Sequence, residues 1–325
     1  MTHAIRIHET GGPEVLRWES VELGDPGPGE VRVRHTAVGL NFIDVYFRTG
    51  LYRAIEPPFT PGMEACGVVE ALGSGVQGLA EGDRVAYASA PVGAYAESRN
   101  MAADRVVKVP DGVGDEQAAA MMLKGMTAQY LLRRTHRVQP GDTILFHAAS
   151  GGVGLIACQW AKHLGATVIG TVGSDEKAEL AAAHGCDHPI VYTRENFVER
   201  VKEITAGAGV RVVYDSVGKD TFMQSLDCLQ PFGLMVSFGQ SSGAQAPLDV
   251  GVLAAKGSLF LTRPTLVTYT AKREDLEATA AELFEVVSSG KVKVEIKQRF
   301  PLREAAAAHR ALEGRKTTGS TVLTP

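Results

Sequence analysis

Asp142-Thr-Ile-Leu-Phe-His-Ala-Ala-Ser-Gly-Gly-Val-Gly-Leu-Ile-Ala-Cys-Gln-Trp-Ala-Lys-His-Leu-Gly165 decides the fold. Thr143 to Ala149 is a short apolar run, typical of a parallel strand covered on both faces. Gly151, Gly152 and Gly154, with Val153 among them, follow at once. Leu155, Ile156, Gln159, Trp160 and His163 then recur at helical spacing, and Gly165 stops the helix. Strand, glycine turn and helix in this order let backbone N–H groups meet a pyrophosphate at the positive end of a helix. The turn reads Ala149-x-Gly151-x-x-Gly154, with alanine where the usual fingerprint has its first glycine. Its flanking strand and helix predict dinucleotide binding rather than a merely tight turn.

Downstream, strands and helices alternate. Strands are expected at Thr167–Val172, His188–Tyr192, Val210–Ser216, Leu234–Gly239 and Ser258–Thr262. Helices are expected at Asp175–His184, Glu195–Ile204 and Thr221–Leu229. This predicts an α/β, doubly wound parallel sheet with the cofactor across the carboxyl end of its first strand. Upstream the texture differs. Ala4–His8, Glu30–Ala37, Gly67–Leu72, Arg84–Ala88 and Ala94–Arg99 read as short strands, separated by Gly and Pro breakers. They predict a β-rich, barrel-like domain with almost no helix. Residues 116–132 read as a helix with Gly125 as a break. Beyond Arg263-Pro264, the sequence predicts helices at Glu274–Ser288 and Arg303–Leu312 and a strand at Lys293–Arg299. This tail is too short for a domain of its own. It is expected to complete the first domain, giving residues 1–124 and 265–325 for one and 125–264 for the dinucleotide domain.

Composition excludes several classes. The chain has 325 residues, 45% hydrophobic and 22% charged, with a net charge of −4. That is an ordinary globular composition and argues against nucleic-acid binding. No apolar run is long enough to span a bilayer, and the N-terminal residues lack the pattern of a signal peptide. Cys66, Cys158, Cys186 and Cys228 are scattered, as expected of reduced thiols in a cytoplasmic protein. His184-Gly-Cys186-Asp-His188 places donors two apart on one turn with no fourth partner, and no metal site is expected there.

The order of features resembles the medium-chain dehydrogenase/reductase superfamily over the whole chain. Gly39-Leu-Asn-Phe-Ile-Asp-Val-Tyr46, Arg48-Thr-Gly-Leu-Tyr52, Pro61-Gly-Met-Glu-Ala-Cys-Gly67, Ala148-Ala-Ser-Gly-Gly-Val-Gly154 and Tyr214-Asp-Ser-Val-Gly218 look like one branch of it. That branch is the zinc-independent NADPH:quinone oxidoreductases, or zeta-crystallin-like family. The resemblance implies a GroES-like catalytic domain joined to a Rossmann domain. It also bears on metal. Zinc-dependent relatives place a cysteine and a Gly-His-Glu around a catalytic Zn²⁺. The corresponding stretches here hold Asn41 and Gly62-Met63-Glu64, and neither carboxamide nor thioether is a usual Zn²⁺ ligand.

The residues past the second strand bear on the cofactor. NAD-preferring sites place an acidic residue about 20 residues past the glycines. Here the strand tip carries none and is followed by Gly173, Ser174 and Lys177, able to offer donors and a charge to a 2′-phosphate. The bland alternative is a helix cap at Ser174, dipole-favoured Asp175 and Glu176, and a solvated lysine. The resemblance breaks the tie toward NADPH and adds Tyr192 to the group.

The resemblance further places the nicotinamide end among Asn41, Phe42, Asp44 and Tyr46, residues 124–130 with Thr127 and Tyr130, Phe238, Gly239, Gln240 and Ser241, and Arg263, Pro264 and Thr265. Tyr52 and Ser216 border it, and Arg315 is a further candidate. Each has a plainer role available: Tyr46 and Tyr52 as packing aromatics, Arg315 as a surface charge. Asn41, Tyr46 and Tyr52 are expected to shape the substrate pocket, with a tyrosine hydroxyl or the asparagine amide stabilising the charge on a quinone oxygen. None is expected to be an essential acid, since a quinone is already electrophilic. An enoyl or alkenal reductase is the rival activity; a non-catalytic NADPH-binding or RNA-binding protein is the rival from another class. Relatives pair through the edge strand of the cofactor sheet, which implies a homodimer through Ser258–Thr262.

Overall fold

The computed structural model describes every residue except 54 and divides into two units. The first comprises Met1–Met126, Thr270–Ser288 and Val294–Pro325; the second comprises Thr127–Tyr269 and Ser289–Lys293. The chain begins with β1 (Thr2–Arg6), β2 (Arg17–Val21), β3 (Glu30–Leu40), α1 (Phe42–Arg48), β4 (Glu64–Leu72), β5 (Arg84–Ala88), β6 (Ser98–Ala102), β7 (Val107–Lys108) and α2 (Asp115–Tyr130). It continues with β8 (Thr143–His147), α3 (Gly152–His163), β9 (Thr167–Val172), α4 (Asp175–Ala183), β10 (His188–Val191), α5 (Phe197–Ile204) and β11 (Val210–Asp215). Then come α6 (Phe222–Leu226), β12 (Leu229–Ser237), α7 (Gly251–Ala255), β13 (Phe260–Thr262) and α8 (Leu266–Tyr269). The last elements are α9 (Arg273–Ser288), β14 (Ile296–Pro301), α10 (Ala305–Glu313) and β15 (Ser320–Thr324).

The second unit is the expected doubly wound sheet. Its six strands run parallel in the order β10-β9-β8-β11-β12-β13, the strand order of dinucleotide-binding folds. Leu145, Ile169, Val213 and Met235 are buried in its core. The first unit is a largely antiparallel sheet, β14-β15-β3-β4-β5-β7, with β6 also on β3. Its core joins Val31, Val33, Val69 and Val85 to Leu302, Ala305, Ala308 and Leu323 from the chain's end.

The structure corrects several expectations. α1 is a helix in a region read as strands. Its sequence, Phe-Ile-Asp-Val-Tyr-Phe-Arg, is rich in β-formers, and Asn41 starts it from an extended conformation, φ −138 and ψ 154. Gly125 does not break α2; it lets α9 approach, since a Cβ there would stand 2.7 Å from Leu283 Cδ2. The strand read over Ala94–Arg99 lies at Ser98–Ala102 instead, and Ala96 makes only a single bridge to Ala4. α6 ends at Leu226, short of Leu229, because sheet pairing of β12 with β11 already begins at Leu229. β2 and β15 were not anticipated; β15 inserts between β14 and β3.

Candidate active site

The glycine turn forms as expected. Gly151 precedes α3 with no side chain capping its N-terminus, so the first N–H groups of the helix are open to an anion. A Cβ on Gly154 would stand 2.6 Å from the Ala149 carbonyl oxygen and closer still to that of Ala148, so only glycine fits. Ala148 itself adopts φ +55, a conformation that costs an L-residue roughly 1–2 kcal/mol. Ala149, one residue on, is not among the positive-φ residues. Its methyl is accommodated by Gly170 of β9, where a Cβ would stand 2.6 Å from it. A glycine on the neighbouring strand thus compensates for the alanine in the fingerprint.

At the tip of β9, Ser174 caps α4 by accepting from the Lys177 N–H at 3.4 Å. The Tyr192 hydroxyl stands 3.1 Å from where a Gly173 side chain would begin, and Tyr192 is 42% exposed. Gly173, Ser174, Lys177 and Tyr192 therefore share one corner. Sequence reasoning missed Arg194, which pairs with Asp175 at 2.6 Å and offsets negative charge at this corner. Its only signal was its position two residues beyond Tyr192.

Phe238 and Gly239 at the end of β12 both donate backbone N–H groups to the Asp215 carbonyl, at 2.8 and 3.3 Å, and Ser241 N–H meets the Ser216 carbonyl at 3.1 Å. The Phe238 ring lies 5.7 Å from that of Phe146. Arg263 Nη1 donates to the carbonyls of Ser237 and Gly239, at 2.9 and 3.0 Å. It braces the strand end, which accounts for one face of a side chain expected to meet phosphate or carboxamide. Thr265 Oγ1 pairs with Thr268 Oγ1 at 3.0 Å. Thr127 is buried, and Tyr130 stacks on Tyr269 with centroids 4.5 Å apart.

In the first unit, Asn41, Phe42, Asp44 and Tyr46 lie together at the start of α1. The Tyr46 and Tyr52 rings are 5.1 Å apart, and Phe42 lies 6.3 Å from Tyr46. Asn41 Nδ2 donates to Glu64 Oε2 at 2.7 Å. Glu64 also accepts from the Leu123 N–H at 2.7 Å and from the Lys124 ammonium at 3.0 Å. Glu64 is wholly buried and Lys124 is 5% exposed. A carboxylate that accepts from all three requires the amide nitrogen of Asn41 on its side. The carbonyl oxygen at the other end of the amide belongs to the capping box that joins Asn41 and Asp44 at the start of α1. Arg315 follows α10 at φ +55 and is exposed. Among the described residues no group of three or more His, Cys, Asp or Glu could hold a metal ion, and His184 Nδ1 faces the Leu180 carbonyl at 2.7 Å.

Two family descriptions match the chain: an alcohol dehydrogenase GroES-like domain over residues 27–141 and a zinc-binding dehydrogenase over residues 152–285. A quinone oxidoreductase of Pseudomonas aeruginosa is 55% identical over 325 residues, the whole of both chains. A 2-haloacrylate reductase of a Burkholderia species is 49% identical, covering 100% of this chain and 99% of its own. The crystal structure of Escherichia coli quinone oxidoreductase complexed with NADPH superposes with a TM-score of 0.98 at 50% identity, covering 99% of this chain and 100% of that one.

Proposed function

Because the chain belongs to the zeta-crystallin-like quinone oxidoreductases of the medium-chain dehydrogenase/reductase superfamily, we propose that it reduces quinones with NADPH, by hydride transfer and without zinc. The observation that carries this reading is the corner built from Gly173, Ser174, Lys177 and Tyr192, one strand away from the open N-terminus of α3. The residues fit the cofactor: the helix end takes the pyrophosphate, and the corner takes the 2′-phosphate. Bound NADPH supplies the hydride. The chain's part is to hold it: Phe238–Ser241 and Thr127 with Tyr130 line the cofactor, and Asn41, Tyr46 and Tyr52 shape the acceptor's pocket. A tyrosine hydroxyl steadies the charge that develops on the acceptor oxygen.

We place the protein in the cytoplasm, consistent with four free, buried cysteines, and assign it no nucleic-acid partner, given its charge of −4. No helix among the described residues is long and apolar enough to cross a membrane. It is a homodimer through β13, where Phe260 is 60% and Leu261 39% exposed on a sheet edge.

The relationship to the 2-haloacrylate reductase favours a second activity, reduction of an activated C=C bond. NADPH consumption with benzoquinone and phenanthrenequinone, set against an alkenal and a haloacrylate, tests both. A protein that turns over neither quinone would overturn the first reading.

A further inference from the structure

Asp44 is wholly buried, and its Oδ1 has no hydrogen-bond partner among the described residues. Its Oδ2 accepts twice, from the Asn41 N–H at 2.9 Å and from the Tyr95 hydroxyl at 3.1 Å. Behind Tyr95 the hydrogen bonds run in one direction. Arg48 Nη1 lies 3.3 Å from His309 Nδ1, and since a guanidinium only donates, Nδ1 accepts. The ring proton is therefore on Nε2, which donates to the Tyr95 oxygen at 3.1 Å. Tyr95 passes its own hydroxyl proton to Asp44. Arg48, 1% exposed, is clamped by Glu313 through both terminal nitrogens, at 2.7 and 2.9 Å. Burial, and then Arg48, push His309 down to about 3, so the ring is neutral. Burial and Asp44 hold Tyr95 well above the usual phenol range, so it remains a donor.

Among the described residues, Asp44 forms no ion pair of its own. The charged groups around it are Arg48 on its own helix with Glu313 of α10, and Glu64 of β4 with Lys124 of α2; each set is an ion pair. Burial pushes Asp44 up to about 7, against the hydrogen bonds from Asn41 and Tyr95. Glu64 nearby is held by the Lys124 ammonium at 3.0 Å.

We propose that Asp44 governs the pH dependence of catalysis by acting through Asn41, and that Tyr95 and His309 are the positioning residues that direct hydrogen bonds onto it. Ionised, Asp44 lies in the first turn of α1, where negative charge is favoured, and grips the Asn41 N–H with a charge-assisted bond. Protonated on Oδ1, it holds Asn41 more weakly, and the start of α1 that carries Asn41 and Tyr46 loosens. Turnover therefore rises with pH through the Asp44 transition. Only an O–H bond is broken or formed, the proton passing to solvent. The catalytic half of this proposal rests on the quinone-reductase reading; the titration of the carboxyl does not.

The test is an infrared titration of the ligand-free protein, following the protonated-carboxyl C=O band that Asp44→Asn removes. The expected midpoint is about 7. Tyr95→Phe removes a donor to the charged form and should raise it by about one unit. His309→Gln keeps both a donor and an acceptor and should leave the midpoint in place, whereas His309→Leu should raise it. The kcat/KM profile should move with the band, and Asp44→Asn should lose that inflection. A band that titrates in the ordinary carboxylate range, a midpoint unmoved by Tyr95→Phe, or a profile that ignores the band overturns the proposal. If NADPH binds and no quinone is reduced, the functional reading fails, and the infrared titration still decides the assignment of Asp44.

Discussion

Gly170 makes room for Ala149: a Cβ on Gly170 would stand 2.6 Å from the Ala149 Cβ. Gly170→Ala should therefore destabilise the cofactor unit by about 1–3 kcal/mol through overpacking. Ala149→Gly in the same chain should recover part of that loss. The remainder is set by Cys186 Sγ, 2.6 Å from the same point. Urea unfolding of the two single variants and the double one checks this, and strictly additive effects would refute the coupling.

Selectivity between cofactors should lie in the corner after β9. Lys177→Ala and Tyr192→Phe should each weaken NADPH binding by about tenfold or more and leave NADH nearly unaffected, as expected for lost hydrogen bonds to a charged group. Arg194→Ala should act in the same direction by freeing the Asp175 carboxylate that it pairs with. Fluorescence titrations with both nucleotides measure it; equal losses for both would count against the corner.

Lys124→Met should strand Glu64, a wholly buried carboxylate, at a cost of about 3–5 kcal/mol. Glu64→Gln combined with Lys124→Met should recover much of that stability, since no uncompensated charge remains. Denaturant midpoints distinguish this from a packing effect, in which the double variant would be no better than the single.

Acid should destabilise the fold. Burial pushes His35 down to about 4 and His309 to about 3, and lowers His147 as well. The unfolded chain protonates these rings below about 6.5 while the folded chain does not, so His35 and His309 each contribute a loss of about 1.4 kcal/mol per pH unit between about 6.5 and their folded values, and His147 acts in the same direction. Asp44 opposes them between its folded value of about 7 and its ordinary value of 3.8, because there the folded state holds the extra proton. Three imidazoles against one carboxyl leave a net loss below about 6.5. A denaturant midpoint that rises on going from neutral to weakly acidic buffer would contradict this.

Phe260→Glu on the edge strand should yield monomers, because it places a charge on an exposed apolar edge. Light scattering at micromolar concentration reads both masses directly: a monomeric parent refutes the dimer, and a variant that keeps the mass of a dimeric parent moves the interface elsewhere.

What was legible in the sequence followed from local rules. The strand, turn and helix at 143–163 and the alternation after it announce themselves by periodicity, and the parallel six-stranded sheet follows. α1 was hidden because its residues favour strands while its start depends on Asn41 and Asp44. Gly125 was misread because its reason lies 158 residues away, in Leu283. The Asp44, Tyr95 and His309 array joins positions separated by 51 and 214 residues, and no spacing rule connects them. Asn41 is legible as a residue, but its bond to the buried Glu64–Lys124 pair joins positions far apart in the chain.

The core of the first unit mixes residues from both ends of the chain, with β15 seated between β14 and β3. On the ribosome, the unit whose synthesis starts first is thus completed last. Its sheet waits with the β15 side of β3 uncovered while the whole dinucleotide unit emerges and folds. A chain truncated before residue 320 loses the strand that lies between β14 and β3.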